Sequence, residues 1–206
     1  MSACCHTQPV FTGLSEDYKR RLWAIIVLNF FMFIVEMVAS NLADSQSLQA
    51  DALDFLGDTL TYSISLLVIG AAARTRSITA LCKGMSLMLM GVWVLGSTVY
   101  RVFTESTPHA EAMGLIGFMA LTVNVVCVFL LFRYKDGDAN IKSVWLCSRN
   151  DAIGNVGVLL AALGVWGTAS KWPDLIIAVT MATLFIISAI QILKQAILEL
   201  RLSKKT

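Results

Sequence analysis

Six long apolar stretches, separated by short polar connections, dominate the pattern of hydrophobic and polar positions along this chain. A membrane-spanning helix needs about 20 predominantly apolar residues, and each of the six stretches reaches that length. The hydrophobic residues run on without alternation, which indicates helices that satisfy their own backbone hydrogen bonds inside a bilayer. The sequence therefore predicts an all-α polytopic membrane protein, a bundle of six transmembrane helices at residues 22–43, 48–73, 78–102, 110–132, 143–168 and 173–198.

The composition agrees with a membrane protein and disfavours an ordinary soluble domain. Of the 206 residues, 57% are hydrophobic and 15% are charged, whereas a soluble domain carries about a quarter charged residues. We expect three parts: a cytoplasmic tail at 1–21, the six-span domain at 22–198, and a short cytoplasmic tail at 199–206. The chain has five cysteines, an odd number, and their spacing does not match a disulfide framework. We therefore expect free thiols. The lipid bilayer is an expected partner and nucleic acid is not.

The basic residues are concentrated at one end of the predicted bundle. Cytoplasmic connections of membrane proteins carry an excess of lysine and arginine. The uneven distribution therefore predicts that both chain termini are cytoplasmic. The basic residues at that end are Lys19, Arg20, Arg21, Arg74, Arg76, Arg133, Lys135, Lys142, Arg201, Lys204 and Lys205, against Arg101 and Lys171 at the other end.

Three aspartates interrupt the second apolar stretch, which reads A-D-A-L-D-F-L-G-D over residues 50–58. A carboxylate at the centre of a bilayer costs about 2.5–3.5 kcal/mol on insertion scales, so such residues mark a functional site by default. Asp51, Asp54 and Asp58 are spaced i, i+3, i+7, and this spacing predicts that all three share one face of the helix. The chain enters this span from outside, which puts Asp51 one turn nearer the outer mouth, as a second-shell or access group.

The fifth stretch carries a matching polar face, with Cys147, Asp151 and Asn155 spaced i, i+4, i+8. Two helices that each offer an i, i+4 pair can place four donors around one ion. The predicted ligands are Asp54, Asp58, Cys147 and Asp151. Tetrahedral coordination by thiolate and carboxylate suits zinc, while manganese, iron, cobalt and cadmium also fit the donor types.

Other interpretations of these polar residues stay open at this point. A buried aspartate can serve as a hydrogen-bond acceptor in helix packing, and Arg149 can offset one carboxylate in a purely structural cluster. Glu36 in the first span can be a packing group, a proton carrier or a carboxylate on an access path, and Asn155 a second-shell group. The run Cys4-Cys5-His6 has metal-binding atom types but lacks a preorganised partner.

Together these motifs resemble the cation diffusion facilitator family of divalent-metal/proton antiporters. The resemblance rests on N-F-F-M-F-I-V-E at 29–36, on S-Q-S-L-Q-A-D-A-L-D-F-L-G-D at 45–58, and on the fifth-span residues Cys147, Asp151 and Asn155. It implies metal ligands at Asp54, Asp58, Cys147 and Asp151, and it allows a homodimer. We also expect a location in a bacterial inner membrane.

Two departures from the family pattern change what the resemblance implies. Family members usually carry a cytoplasmic C-terminal domain, which this sequence lacks, so we expect a short form. Many members have histidine where this chain has Cys147, and a thiolate shifts selectivity toward softer ions. A histidine-rich loop between the fourth and fifth spans is also missing.

The first functional hypothesis is a secondary transporter that exports a divalent metal, zinc first, from the cytoplasm in exchange for protons. The metal is then the transported substrate, no cofactor is required, and the protein is not an enzyme. One alternative is an intramembrane aspartyl hydrolase that uses paired carboxylates. A second alternative is a membrane metal sensor that binds the ion without transporting it.

Overall fold

The computed structural model describes residues 15–67, 73–103, 106–135 and 139–203, and within these residues it contains helices and no strands. The predicted six-helix architecture is confirmed. The tail motif Cys4-Cys5-His6 lies outside the described residues. The helices are α1 (Glu16–Leu42), α2 (Gln46–Leu67), α3 (Ala73–Val102), α4 (Ala110–Phe132), α5 (Ala139–Thr168) and α6 (Trp172–Ser203).

Several helices extend beyond the predicted spans because polar residues at their ends continue the helical turns. Helix α1 begins six residues before the predicted start at residue 22, inside the predicted tail. The Ser15 hydroxyl caps it by accepting a hydrogen bond from the backbone N–H of Tyr18 at 3.2 Å. Glu16 in the first turn complements the helix dipole. Helix α4 has the predicted limits, and α6 continues to Ser203, past the predicted end at residue 198.

Within the residues that the structure describes, five of the six helices are long and apolar enough to cross a membrane, with α2 as the exception. The three aspartates of α2 lower its hydropathy, but its neighbours cover it, and both Asp51 and Asp58 are buried. Large apolar side chains on the other helices face outward, as Trp23, Phe129 and Trp166 do. A polar helix enclosed by helices with apolar outer faces is the arrangement expected of an integral membrane bundle.

The helices associate in three closely packed pairs, α1 with α2, α4 with α5, and α3 with α6. The first two pairs join into one group, while the α3–α6 pair lies against α2 and α5. Glycines allow α3 to approach α6 closely: a Cβ at Gly84 would lie 2.8 Å from Leu193, and one at Gly91 would lie 2.8 Å from Ile186. Small residues at such contacts are the usual basis of helix packing in membranes.

We call the end with the α1–α2, α3–α4 and α5–α6 connections the outer end, and the opposite end the inner end, following the predicted topology. Polar contacts link several helices at the outer end. Arg101 at the end of α3 pairs with Asp44 in the α1–α2 connection at 2.8 Å. The Lys171 ammonium donates to the backbone carbonyls of Arg101 and Val102, the last residues of α3. These bonds satisfy helix-end carbonyls that have no partner inside the helix.

Candidate metal centre

A cavity of about 290 Å³ separates α2 and α5 from the α3–α6 pair, and the four predicted ligands all line it. Its wall on α3 comes from residues in the half nearer the inner end, among them Lys83 and Ser86. The cavity therefore lies toward the predicted cytoplasmic side.

Helix α2 supplies two carboxylates to the cavity, one turn apart. Asp58 is 8% exposed, and its side chain lies close to those of Tyr62 and Asp151. Asp54 lies close to Asp151 as well. Gly57 lies between the two acids and faces α3, since a Cβ there would be 3.9 Å from the Met90 sulfur. The absence of a side chain at Gly57 keeps the cavity open between α2 and α3.

Helix α5 supplies the other two donors. Cys147 and Asp151 are both half-buried and both face the cavity. Asp151 meets the two acids of α2, and its Oδ2 atom is buried without a hydrogen-bond partner. Buried polar atoms are normally paired, and a carboxylate oxygen without a donor is a typical ligand for a cation. The thiol of Cys147 adds a softer donor one turn from Asp151.

The four donors surround the cavity without forming a finished coordination shell. Within the described residues, no three cysteine, histidine, aspartate or glutamate side chains converge as a ready metal-binding group. Carboxylates that face one another without a cation between them repel. Binding an ion with metal–ligand distances of about 2.0–2.3 Å therefore requires small side-chain rotations toward the cavity centre.

Two further residues of this site were not predicted as functional from the sequence. Tyr62 is fully buried, and its hydroxyl lies 3.1 Å from that of Ser148 on α5. Tyr62 lies one turn further along α2 than Asp58, close to its carboxyl group. Lys83 on α3 lines the same cavity. The i+4 spacing of Tyr62 from Asp58 was a usable signal, whereas nothing in the local sequence connects Lys83 to α2 or α5.

Asp51 and Glu36 lie outside the cavity. Asp51 is 1% exposed and Glu36 is fully buried, and their carboxyl groups lie close to each other, with both Glu36 oxygens and Oδ2 of Asp51 lacking a hydrogen-bond donor among the described residues. The predicted common face of Asp51, Asp54 and Asp58 is therefore divided between two neighbouring helices. This occurs because α2 contacts both α1 and α5, and Asp51 lies about two turns nearer the outer end than Asp58, at the height of Glu36 on α1.

The remaining predicted polar residues lie away from the cavity wall. Asn155 is fully buried, and neither atom of its amide has a hydrogen-bond partner. Arg149 is exposed; its guanidinium lies 5.4 Å from the centre of the Trp145 ring and donates to Asn150 at 3.3 Å. These contacts do not support Arg149 as the counter-ion of a structural acid cluster. The cavity acids therefore remain available for an ion.

Comparison with known proteins gives an independent view of the chain. Residues 22–201 match the family model described as the cation efflux transmembrane domain. The chain is 26% identical over 93% of its length to the zinc transporter ZitB of Yersinia pestis. It is 25% identical over 81% of its length to the metal cation efflux system protein CzcD of Cupriavidus metallidurans. It is 22% identical over 84% of its length to a cadmium, cobalt and zinc/H(+)-K(+) antiporter of Bacillus velezensis.

These matches cover most of this chain but less of the relatives. The chain spans 66% of the length of the Yersinia protein, 58% of the Cupriavidus protein and 61% of the Bacillus protein.

Proposed function

Because this chain belongs to the cation efflux family, we propose that it exports a divalent metal cation from the cytoplasm in exchange for protons. The resemblance to cation diffusion facilitators is thereby confirmed. The protein is an integral protein of the bacterial inner membrane, since its relatives are bacterial and its helices are long and apolar. Membership in a transporter family makes it a transporter and not an enzyme, and it argues against the aspartyl hydrolase alternative.

The observation that carries the proposal is the shared cavity of α2 and α5. Three carboxylates and one thiol, at Asp54, Asp58, Cys147 and Asp151, line one space inside a membrane bundle. This donor set holds zinc, cadmium or cobalt, the ions that the names of its relatives mention. The thiol favours the softer of these ions, and zinc remains the first candidate.

Exchange with protons follows from the chemistry of the same donors. Carboxylates and a thiolate bind metal only when they are deprotonated, so metal and protons compete for one set of atoms. A site that faces the cytoplasm takes up the ion, and a rearrangement of the helices then exposes it to the outside, where protons displace the ion. The antiporter name of the Bacillus relative supports this form of coupling.

Purified protein in proteoliposomes tests the proposal. Zinc and cadmium uptake are followed with an internal metal-sensitive dye, and proton movement with a pH-sensitive dye. Asp58→Ala and Asp151→Ala should each lower the initial rate of metal movement by about 100-fold, with a parallel loss of proton movement, because each removes a charged ligand. Asn150→Ala is the matched control, since Asn150 lines the same cavity but carries no charge.

The outcomes separate the candidate functions. Wild-type rates in both aspartate variants would contradict the assignment of the site. Metal binding by the wild-type protein without any flux would favour the sensor alternative over transport. Metal flux without proton movement would support metal efflux and contradict the exchange with protons.

A further inference from the structure

The cavity contains one positive charge among its acids. Of the described residues that line it, Lys83 is the basic one, and it faces three carboxylates and a thiol. Lys83 lies on α3, whereas the acids lie on α2 and α5. Its ammonium group interacts electrostatically with Asp58 and Cys147 across the cavity. A charge on the opposite wall therefore acts on the predicted ligands from outside their own helices.

The ammonium group of Lys83 makes no close ion pair with any carboxylate in the described part of the chain. It acts over a longer distance instead. Coulomb interactions between unit charges fall off only as the inverse of distance, and at an effective dielectric constant near 20 they remain substantial over several ångströms. A half-buried position inside the bundle also keeps screening ions away.

The packing of α3 fixes where this charge lies. Gly84, the next residue, packs so closely on α6 that a Cβ would lie 2.8 Å from Leu193. Helix α3 therefore moves together with α6, and Lys83 keeps its position on the wall of that pair. The ammonium can approach the acids or withdraw from them only through its own flexible side chain or through movement of the whole α3–α6 pair.

We propose that Lys83 is a tethered cation that competes with the transported metal for the acids of the cavity and so lowers the affinity of the site. The inference rests on the proposed function, because it takes the cavity as the metal site. Before the ion arrives, the ammonium offsets part of the negative charge of Asp54, Asp58 and Asp151. To bind, a divalent ion must replace the ammonium as the positive charge nearest the carboxylates. The ammonium then repels the bound ion. An exporter benefits from this, since an ion held too tightly is not released.

Metal binding by the purified full chain tests the inference. Isothermal titration with zinc and with cadmium is carried out on the wild type and on Lys83→Gln, Lys83→Met and Lys83→Arg. Removal of the charge in the Gln and Met variants should tighten binding about tenfold. The Arg variant keeps the charge and should bind within about twofold of the wild type. Lys194→Gln is the control, because Lys194 lies exposed on α6, away from the cavity.

The results distinguish this inference from the proposed function. Unchanged or weaker binding in whichever neutral variant is folded, as judged by thermal unfolding, would overturn the role of Lys83. Such a result would instead indicate that the Lys83 side chain directs its ammonium group into water and does not affect metal binding. An equal gain in Lys194→Gln would also overturn it, since the effect would then come from overall charge. Asp58→Ala measured in parallel addresses the proposed function alone: if it binds metal as the wild type does, the site itself is wrong.

Discussion

Aspartates in two parts of this bundle, Asp174 at the outer end and the acids of the cavity, have opposite surroundings. Asp174, in the first turn of α6, is fully buried and its two oxygens accept four hydrogen bonds. The donors are the hydroxyl groups of Ser45 and Ser47, at 2.7 and 2.6 Å, and the backbone N–H groups of Gln46 and Ser47, at 2.8 and 3.0 Å. Asp58 and Asp151, in the cavity, chiefly face each other and Asp54.

The difference teaches how to separate a structural acid from a binding acid within a membrane. At Asp174 the protein supplies every hydrogen bond that the carboxylate needs, and the N-terminus of α2 adds a favourable dipole. The same contact joins α6 to α2. In the cavity the protein supplies fewer donors, and Oδ2 of Asp151 is buried without one among the described residues, so the acids remain under-satisfied until a cation arrives. Burial alone does not distinguish the two groups, but their hydrogen-bond partners do.

The largest expected effect comes from removing the structural acid. Asp174→Asn should lower the free energy of unfolding by about 3 kcal/mol, because an amide replaces a charged acceptor and leaves buried donors at the start of α2 without partners. Unfolding by SDS in mixed micelles measures the change. Asp44→Asn at the same outer end is the control and should cost about 0.5 kcal/mol, since its carboxylate is 42% exposed and only pairs with Arg101. Equal losses of unfolding free energy in Asp174→Asn and Asp44→Asn would contradict the special structural role of Asp174.

A smaller effect of the opposite sign is expected in the cavity. Asp58→Asn should raise the free energy of unfolding by about 1 kcal/mol in metal-free buffer with a chelator, because it removes repulsion between facing carboxylates. The same unfolding assay measures it, with Asn150→Ala as the control from the same cavity wall. A loss of stability as large as that of Asp174→Asn would show that Asp58 is a structural acid too.

The smallest effect is expected from a conservative change in the acid pair outside the cavity, Glu36→Gln. Glu36→Gln should change the free energy of unfolding by about 0.5 kcal/mol or less and leave zinc affinity within about twofold, because the amide can still donate to Asp51. Glu36→Ala, which leaves Asp51 without this partner, should cost about 2 kcal/mol. Unfolding and zinc titration check the two variants together. A tenfold loss of zinc affinity in Glu36→Gln would move this pair into the binding site.

Much of the fold could be predicted from the sequence because a bilayer permits few solutions. Uninterrupted apolar length predicts the spans, and α4 has the predicted limits. Helical periodicity brings Asp54 and Asp58 to one side of α2, and Cys147 and Asp151 to one side of α5. The structure places these four residues around one cavity, while their role as ligands stays a prediction.

The rest could not be predicted because it depends on which helices become neighbours. Spacing along α2 groups Asp51 with Asp54, but the approach of α1 gives Asp51 a different partner, Glu36. Asp174 resembles an ordinary acid in a first helical turn, and its partners lie 127–129 residues away along the chain. Lys83 follows a stretch without any acidic residue, so only the packing of α3 beside α2 reveals it.

The pairing of α3 with α6 has a consequence for the biosynthesis of the protein. Helices α1 and α2, like α4 and α5, are consecutive in the chain and can associate as soon as the ribosome has produced them. Helix α3 must wait until α4 and α5 have been made, with its glycine surface against lipid in the meantime. The arrival of α6 then provides Leu193 for Gly84 and Asp174 for the start of α2. Insertion of α6 is thus the step that completes both the α3–α6 pair and the hydrogen bonds at the start of α2.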